Sequence, residues 1–235
     1  MKSMIVIGDI HGCYKTMMKL IKKFPAEVSY CMAGDLMDRG PASRKVIQHC
    51  IDNNIPTVLG NHELMMGYMD PALRECWFQN GGIQTIQEYF TKPIYEQAMA
   101  NLIGVQEYAT DYKTLENHER WIQSLPFYLE FKDITRKDGR HLVVSHTTIA
   151  QYWEKRDLPQ ARFEGVWARK SIPKDIKTIF NIYGHTPVTK PLIREHFANI
   201  DTGCVYNGSF KKGTLTALQF PEMILYQEKC IDFDD

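Results

Sequence analysis

The chain has 235 residues with 28 basic and 28 acidic side chains, so its formal net charge is zero when histidine is neutral. Proteins that bind nucleic acid through bulk attraction are strongly basic, so this balance excludes that class and requires any phosphate recognition to be local. We predict a single domain over residues 1–235, because no linker-like composition divides them.

The first 60 residues alternate short apolar runs with amphipathic segments. The runs at 4–7, 29–33 and 57–59 are typical of buried strands, and a glycine follows each of them. The segments between them place apolar residues on one helical face, namely Tyr14, Met17, Met18 and Ile21 in the first and Val46, Ile47, Cys50 and Ile51 in the second. This β-α-β-α-β order predicts parallel strands whose ends emerge along one edge of a sheet.

The rest of the chain divides into a helical part and a strand-rich part. Residues from about 64 to 125 have helical periodicity, which predicts a helical insertion that walls the site. The runs at 141–146, 178–185, 197–203 and 213–220 predict a second group of strands, most of them ending in a polar residue or glycine.

Five motifs at predicted strand ends carry most of the candidate chemistry. They contain Asp9 and His11 in GDIHG, Asp35, Asp38 and Arg39 in GDLMDRG, Asn61 and His62 in GNHE, His146 in SH, and His185 in GHTP. Carboxylate, amide and imidazole ligands together suit Mn, Fe or Zn. Cysteine is absent from the set, which argues against a structural zinc site.

The order GD-x-HG, GD-x-x-DRG, GNHE and two separated histidines resembles the PPP family of metal-dependent phosphoesterases over residues 8–203. Within that family, WFQNGG, VWARK, GHTP and IDTG are similar to segments of the small phage and bacterial serine/threonine phosphatases. The resemblance implies an α/β fold of the calcineurin-like metallophosphoesterase type, in which helices flank a β-sandwich (α/β/β/α).

The resemblance also implies roles for individual residues. Two divalent ions, expected to be manganese with iron or zinc as alternatives, would be held by Asp9, His11, Asp35, Asn61, His146 and His185, with Asp35 bridging. A hydroxide between the ions would attack phosphorus directly. His62, oriented by Asp38, would protonate the leaving group. The phosphate would be bound by Arg39, Asn61 and Arg169.

Three functions follow from these residues. The main prediction is a phosphomonoesterase acting on phosphorylated protein or a small phosphoester, most specifically a protein serine/threonine phosphatase. The alternative is a hydrolase of dinucleoside polyphosphates such as diadenosine tetraphosphate, since such enzymes share the first three motifs. A non-enzymatic alternative is an inactive interaction scaffold. We expect no nucleic-acid or membrane partner, and a cytoplasmic location because the start MKSMIVIGDIHG has no long apolar core.

Several other residues carry narrower expectations. The six cysteines are expected to be reduced and mostly buried thiols. Asp201 is expected to belong to a turn and not to the ligand set. Thr147 and Thr148 stand where the family usually has glycine or alanine, and they would narrow the substrate entrance or add hydroxyl contacts.

Overall fold

The computed structural model describes residues 2–68, 70–90, 111–169, 172–206 and 213–234. Two β-sheets stack face to face with helices outside them. The strands are β1 Met4–Ile7, β2 Ser29–Met32, β3 Tyr128–Thr135, β4 His141–Ser145, β5 Ile179–Tyr183, β6 Leu192–Ile193, β7 Phe197–Asn199, β8 Thr214–Phe220 and β9 Ile224–Lys229. Sheet 1 has the order β2-β1-β8-β9, and sheet 2 has the order β3-β4-β5-β7-β6.

The described helices are α1 Tyr14–Ile21, α2 Ser43–Asp52, α3 Asn61–Gly67, α4 Pro71–Trp77, α5 Ile83–Gln87, α6 Tyr112–Ser124 and α7 Pro159–Gly165. A π-helical turn, Phe78–Gly82, joins α4 to α5, and a 3-10 turn covers Trp153–Lys155. The described part of the segment predicted as a helical insertion is therefore mostly helical. Residue 69 and residues 91–110 of that segment lie outside the described residues, and the single-domain organisation stays a prediction.

The central core lies between the two sheets. Val6 and Leu218 of sheet 1 pack in one cluster with Leu142, Val144 and Ile182 of sheet 2, and all five are fully buried. Burial of each such side chain contributes about 1.5–3 kcal/mol relative to exposure. This packing fixes the position of one sheet against the other, and with it the polar residues that follow their strands.

Two sequence-based strand assignments were wrong in detail. Residues 57–59 do not form a strand, because Thr57 makes a single parallel bridge to Met32 and the chain then turns into α3. The run at 213–220 does form β8, but it pairs antiparallel with β1 in sheet 1 and does not join the second group. Consecutive strands are neighbours in a sheet only roughly two-thirds of the time, so the local pattern of apolar residues does not specify which strand a segment pairs with.

The carboxyl ends of the parallel strands meet at one place. β1 and β2 are parallel in sheet 1, and β4, β5 and β7 are parallel in sheet 2. Two contacts join these ends across the sandwich: the His146 ring donates from Nδ1 to the Ala33 carbonyl at 3.0 Å, and the His185 backbone N–H donates to Asp9 at 3.0 Å. Within the described residues, no helix is long and apolar enough to cross a lipid bilayer.

Candidate metal centre

Left-handed backbone conformation is concentrated at the predicted site. Among the described residues, seven non-glycine residues have positive φ, and five of these belong to the site: His11 (46°), Asp35 (49°), Asp38 (71°), Arg39 (71°) and His185 (68°). Such conformations cost about 1–3 kcal/mol each and persist where the surrounding structure imposes them. The strand-end loops therefore hold these side chains in position at the expense of local stability.

Two glycines allow the loops to approach each other closely. Gly34 has a φ of +88°, and a Cβ there would lie 2.9 Å from the Gly60 nitrogen and 3.0 Å from Nδ1 of His146. A Cβ on Gly184 would overlap the Asp9 carboxylate. Any larger residue at either position would push the strand-end loops apart.

One cluster of acceptors surrounds His146. Its Nε2 lies 3.0 Å from Oδ1 of Asn61, 3.1 Å from Nδ1 of His185 and 3.3 Å from Oδ1 of Asp35. Nδ1 of His185 is also 2.8 Å from the Asn61 oxygen. Four oxygen and nitrogen atoms that can each offer a lone pair thus converge on one point.

A second cluster forms around the other oxygen of Asp35. Oδ2 of Asp35 lies 3.6 Å from Nε2 of His11 and 3.9 Å from Nε2 of His62. His11 donates from Nδ1 to the Met37 carbonyl at 2.8 Å, which turns Nε2 toward the site. The two oxygens of Asp35 therefore face different side chains, as a bridging carboxylate would require.

Negative charge is crowded in this buried space. Burial, reinforced by the charge of Asp201, raises the pKa of Asp9 well above its usual value, and burial raises the pKa of Glu63 to about 7 with Asp35 adding to the shift. Burial alone would also raise the pKa of Asp35, but the positive charges of His146 and His62 hold it well below its usual value. Any positive charge added among these carboxyl groups would stabilise their ionised forms.

The pKa values of the two histidines in the first cluster are shifted in opposite directions. Burial would lower the pKa of His146, but the Asp35 carboxylate outweighs it and raises the pKa to about 10. Burial and the charge of His146 lower the pKa of His185 to about 3. A proton on Nε2 of His146 is thus the positive charge shared by several surrounding lone pairs. A divalent cation can interact with all of these lone pairs at once, so this set of carboxylate, amide and imidazole atoms fits such ions.

His62 is fixed by a buried pair with Asp38. Nδ1 of His62 lies 2.5 Å from Oδ2 of Asp38, and the two side chains are 1% and 0% exposed. Asp38 also accepts hydrogen bonds from the Trp77 indole N–H at 2.9 Å and from the Thr85 hydroxyl at 2.5 Å. These donors hold the carboxylate, which in turn directs Nε2 of His62 toward the site.

The two predicted phosphate-binding arginines are placed differently. Arg39 is half-buried, with Nη1 2.8 Å from Nε2 of His11 and its guanidinium 5.5 Å from the centre of the Tyr206 ring. Arg169 is exposed beyond α7, and its charge contributes to the low pKa of His185. Nine of the ten predicted site residues thus form one connected group, and Arg169 lies near it.

Glu63 and Trp77 are site residues to which the sequence reasoning gave no role. The fully buried Glu63 carboxylate accepts hydrogen bonds from the backbone N–H groups of Asp35 at 2.9 Å, Leu36 at 2.8 Å and Gly60 at 2.9 Å. It thereby joins the loop that carries Asp35 to the loop that carries Asn61. Its place in GNHE was a signal, since an acid three residues after the N-cap of a helix, here Gly60, commonly binds backbone N–H groups there.

Replacing Glu63 with glutamine should destabilise the protein. An amide offers an N–H group where a carboxylate oxygen now accepts, so at least one buried backbone donor loses its partner. We expect the free energy of unfolding to fall by about 2–3 kcal/mol, measured by urea denaturation. Glu116→Gln, at an exposed ion pair on α6, is the control and should change it by less than about 0.5 kcal/mol. Equal losses in the two variants would contradict the assigned role.

The threonines beside His146 are directed inward. Thr147 is 1% exposed and its hydroxyl donates to the Gly165 carbonyl at the end of α7, while Thr148 is 2% exposed. Their effect on substrate specificity stays a prediction. Asp201 accepts a hydrogen bond from the Gly203 N–H at 2.9 Å, the turn-like contact expected of it.

The description "calcineurin-like phosphoesterase" belongs to the family whose sequence model matches residues 3–209. The chain is similar to the bis(5'-nucleosyl)-tetraphosphatase PrpE [asymmetrical] of Geobacillus sp. (strain WCH70), with 29% identity over 93% of this chain and 90% of that protein. The same PrpE name belongs to a relative from Halalkalibacterium halodurans, 28% identical over 93% of this chain and 90% of that one.

Solved structures share the fold at lower sequence identity. A crystal structure provisionally named as a diadenosine tetraphosphatase has a TM-score of 0.61 and 17% identity, covering 97% of this chain and 93% of that one. A protein serine/threonine phosphatase from Saccharomyces cerevisiae has a TM-score of 0.58 and 14% identity, covering 97% and 79%. These likenesses confirm the expected fold, in which two sheets are flanked by helices.

Proposed function

Because the chain belongs to the calcineurin-like phosphoesterase family, which makes it a metal-dependent phosphoesterase, we propose that it hydrolyses dinucleoside polyphosphates of the diadenosine tetraphosphate class. The observation that supports this substrate is the likeness, over 93% of the chain, to a relative named for that activity. It favours the alternative over the serine/threonine phosphatase that the motifs first suggested. Asymmetrical cleavage would yield a nucleoside monophosphate and a nucleoside triphosphate.

We propose that six side chains hold two divalent ions. One ion would be bound by Asp9, His11 and Asp35, and the other by Asp35 together with Asn61, His146 and His185. Manganese is the expected ion. Such ions supply Lewis-acid activation of water and of the phosphate at neutral pH. The support for a shared carboxylate is that Oδ1 of Asp35 faces His146 at 3.3 Å and Oδ2 faces His11 at 3.6 Å.

Arg39 and Arg169 would bind the phosphate chain. The planar guanidinium of Arg39 can donate two parallel hydrogen bonds to phosphate oxygens, which a lysine cannot reproduce. Contact with the Tyr206 ring limits where this guanidinium can lie. Asn61 retains its amide N–H donors for a phosphate oxygen while its carbonyl oxygen faces the histidines. Arg169, being exposed, suits a phosphate further along a polyphosphate chain.

His62 would act as the general acid. Its Nδ1 is committed to Asp38, so the transferable proton lies on Nε2, which faces the site. Proton donation matters most for a strongly basic alkoxide and least for a leaving group that is itself a phosphate. A phosphoanhydride substrate would therefore depend on His62 less than an alkyl phosphate does.

A direct comparison of substrates tests the proposal. We expect the manganese-loaded protein to have a kcat/KM for diadenosine tetraphosphate at least ~10-fold above that for a phosphoserine peptide, equivalent to about 1.4 kcal/mol of transition-state binding. Chromatography should show AMP and ATP in equal amounts. A preference for the peptide would instead support the protein phosphatase, and two molecules of ADP would refute asymmetrical cleavage.

The protein phosphatase remains a second candidate because of one contact. Trp77 begins the segment WFQNGG, which resembles phage-type phosphatases, and its indole donates to Asp38 of the catalytic pair. The inactive scaffold is the least supported candidate, because the complete His62–Asp38 pair and the ligand set are present. Absence of phosphate or nucleotide release from any substrate with added manganese would favour the scaffold.

A further inference from the structure

Three cysteines from distant parts of the chain meet beside the catalytic loops. Cys13 immediately precedes α1, Cys204 follows the turn at 201–203, and Cys230 follows β9. Their Sγ atoms all lie within 4.8 Å of one another, and those of Cys13 and Cys230 are 3.7 Å apart. The residues are 0%, 1% and 6% exposed, and all three are free thiols. This cluster, the cysteine trio, shares no residue with the Asp35 site, although the Cys13 thiol donates to the His11 carbonyl at 3.7 Å.

The spacing of the trio matches that of sulfur ligands around a single metal ion. At a metal–sulfur distance of about 2.3 Å, two sulfurs lie about 3.8 Å apart in a tetrahedral site and about 4.0 Å apart in a trigonal one. The 3.7 Å between the Sγ atoms of Cys13 and Cys230 is close to both values. The Sγ of Cys204 lies within 4.8 Å of the other two, so a small rotation of its side chain would bring it to the same spacing. Ordinary packing brings buried cysteines into a core, but it does not require three thiols to converge.

The surroundings favour a soft ion over a hard one. The trio lies in an apolar cluster that includes Ile10, Met17 and Leu215, where oxygen ligands and water are scarce. Asp232, the nearby acid, already accepts hydrogen bonds from the backbone N–H groups of Lys15 and Thr16. Structural zinc normally takes four ligands, whereas a monovalent d10 ion is satisfied by thiolates alone.

We propose that Cys13, Cys204 and Cys230 form a trigonal thiolate site for a soft monovalent ion of the Cu(I) class. Binding converts thiols to thiolates and releases their protons to solvent, and no change of oxidation state is involved. Cys230 is the most exposed member and is followed by the half-buried Ile231, so the route for the ion is from the surface beside β9. Binding of the ion at the trio does not require the proposed phosphoesterase activity.

Anaerobic titration of the fully reduced, full-length protein tests the proposal. Cu(I) is supplied as its complex with the chromophoric chelator bathocuproine disulfonate, and its transfer to protein is followed by loss of the complex's colour. We expect one Cu(I) per chain to be captured. Loss of an outer partner of a metal ligand alone costs about 10–100-fold in affinity, so Cys13→Ser, Cys204→Ser and Cys230→Ser should each weaken binding by at least ~100-fold.

Two sets of controls separate binding at the trio from binding elsewhere on the chain and from misfolding. Cys31→Ser and Cys50→Ser remove buried thiols outside the trio and should leave Cu(I) capture unchanged. Asp35→Asn should also leave it unchanged, because the ion does not use the oxygen-rich site. Alanine variants at the three positions, checked by thermal unfolding, distinguish ligand loss from misfolding. Failure of the unmodified protein to retain Cu(I) against the chelator, or equal losses in the control variants, would overturn the proposal.

Discussion

Replacing His62 with asparagine is expected to slow hydrolysis of alkyl phosphates by about 10²–10⁴-fold, the usual contribution of a positioned general acid. The same change should slow p-nitrophenyl phosphate by less than about 10-fold, because p-nitrophenolate leaves without needing a proton. Diadenosine tetraphosphate should be slowed no more than p-nitrophenyl phosphate, because its leaving group is itself a phosphate. The measurement is kcat for the three substrates with wild-type and variant protein at saturating manganese.

We expect this difference between substrates because the position of the His62 ring is fixed by its neighbours. Its Nδ1 is bonded to Asp38, and the ring stands edge-on to His11 with the ring centres 4.8 Å apart. Asparagine cannot form the same hydrogen bond to Asp38, and its amide cannot donate a proton to the leaving group. The loss should therefore appear in kcat and depend on the basicity of the leaving group.

Two further variants check that assignment. Asp38→Asn should reproduce the same dependence on leaving group in weaker form, because His62 would remain but its orientation would not be fixed. His196→Asn, on a half-buried histidine that contacts the Pro173 carbonyl, should leave all three rates unchanged. Equal slowing of alkyl and nitrophenyl phosphates by His62→Asn would refute the proton-donor role.

Much of the site could be predicted because its chemistry is carried by short segments that end strands. Asp9 and Asp35 each follow an apolar run and a glycine at the ends of the parallel strands β1 and β2, which is sufficient to bring these two together. His146 follows β4 of sheet 2 and reaches them through the packing of the two sheets. The left-handed conformations of His11 and Asp35 could not be predicted, because Asp and His adopt positive φ more often than most residue types but still do so at only a small minority of positions. Contacts with neighbouring loops impose those conformations, and such contacts exist only in the folded chain.

Other features depend on tertiary contacts that leave little local signal. β9 is an edge strand with mostly exposed residues, so its apolar alternation is weak, and the sequence did not indicate it. The sequence around Trp77 does not show that its indole N–H donates to Asp38, which is 39 residues away in sequence. The cysteine trio likewise joins segments with no common motif.

Replacing Asp35 with asparagine is expected to remove both metal ions and not only one. Each carboxylate oxygen faces a different ligand group, and a neutral amide offers one weak acceptor oxygen and an N–H group that cations avoid. Two neighbouring cations also repel each other strongly unless an anionic group lies between them. We therefore expect the metal content after dialysis to fall from two ions per chain to fewer than one.

The loss of metal should be accompanied by a fall in kcat/KM of about 10³-fold or more, equivalent to at least about 4 kcal/mol of transition-state stabilisation. Plasma mass spectrometry measures the metal, and Asp52→Asn, at an acid on α2 that bonds Gln48, is the matched control that should retain both ions. The Asp35→Asn substitution also removes the negative charge that raises the pKa of His146 to about 10, so His146 should lose its proton more readily. If two ions remain bound to Asp35→Asn, the carboxylate does not bridge them, and the two clusters around it must be separate sites.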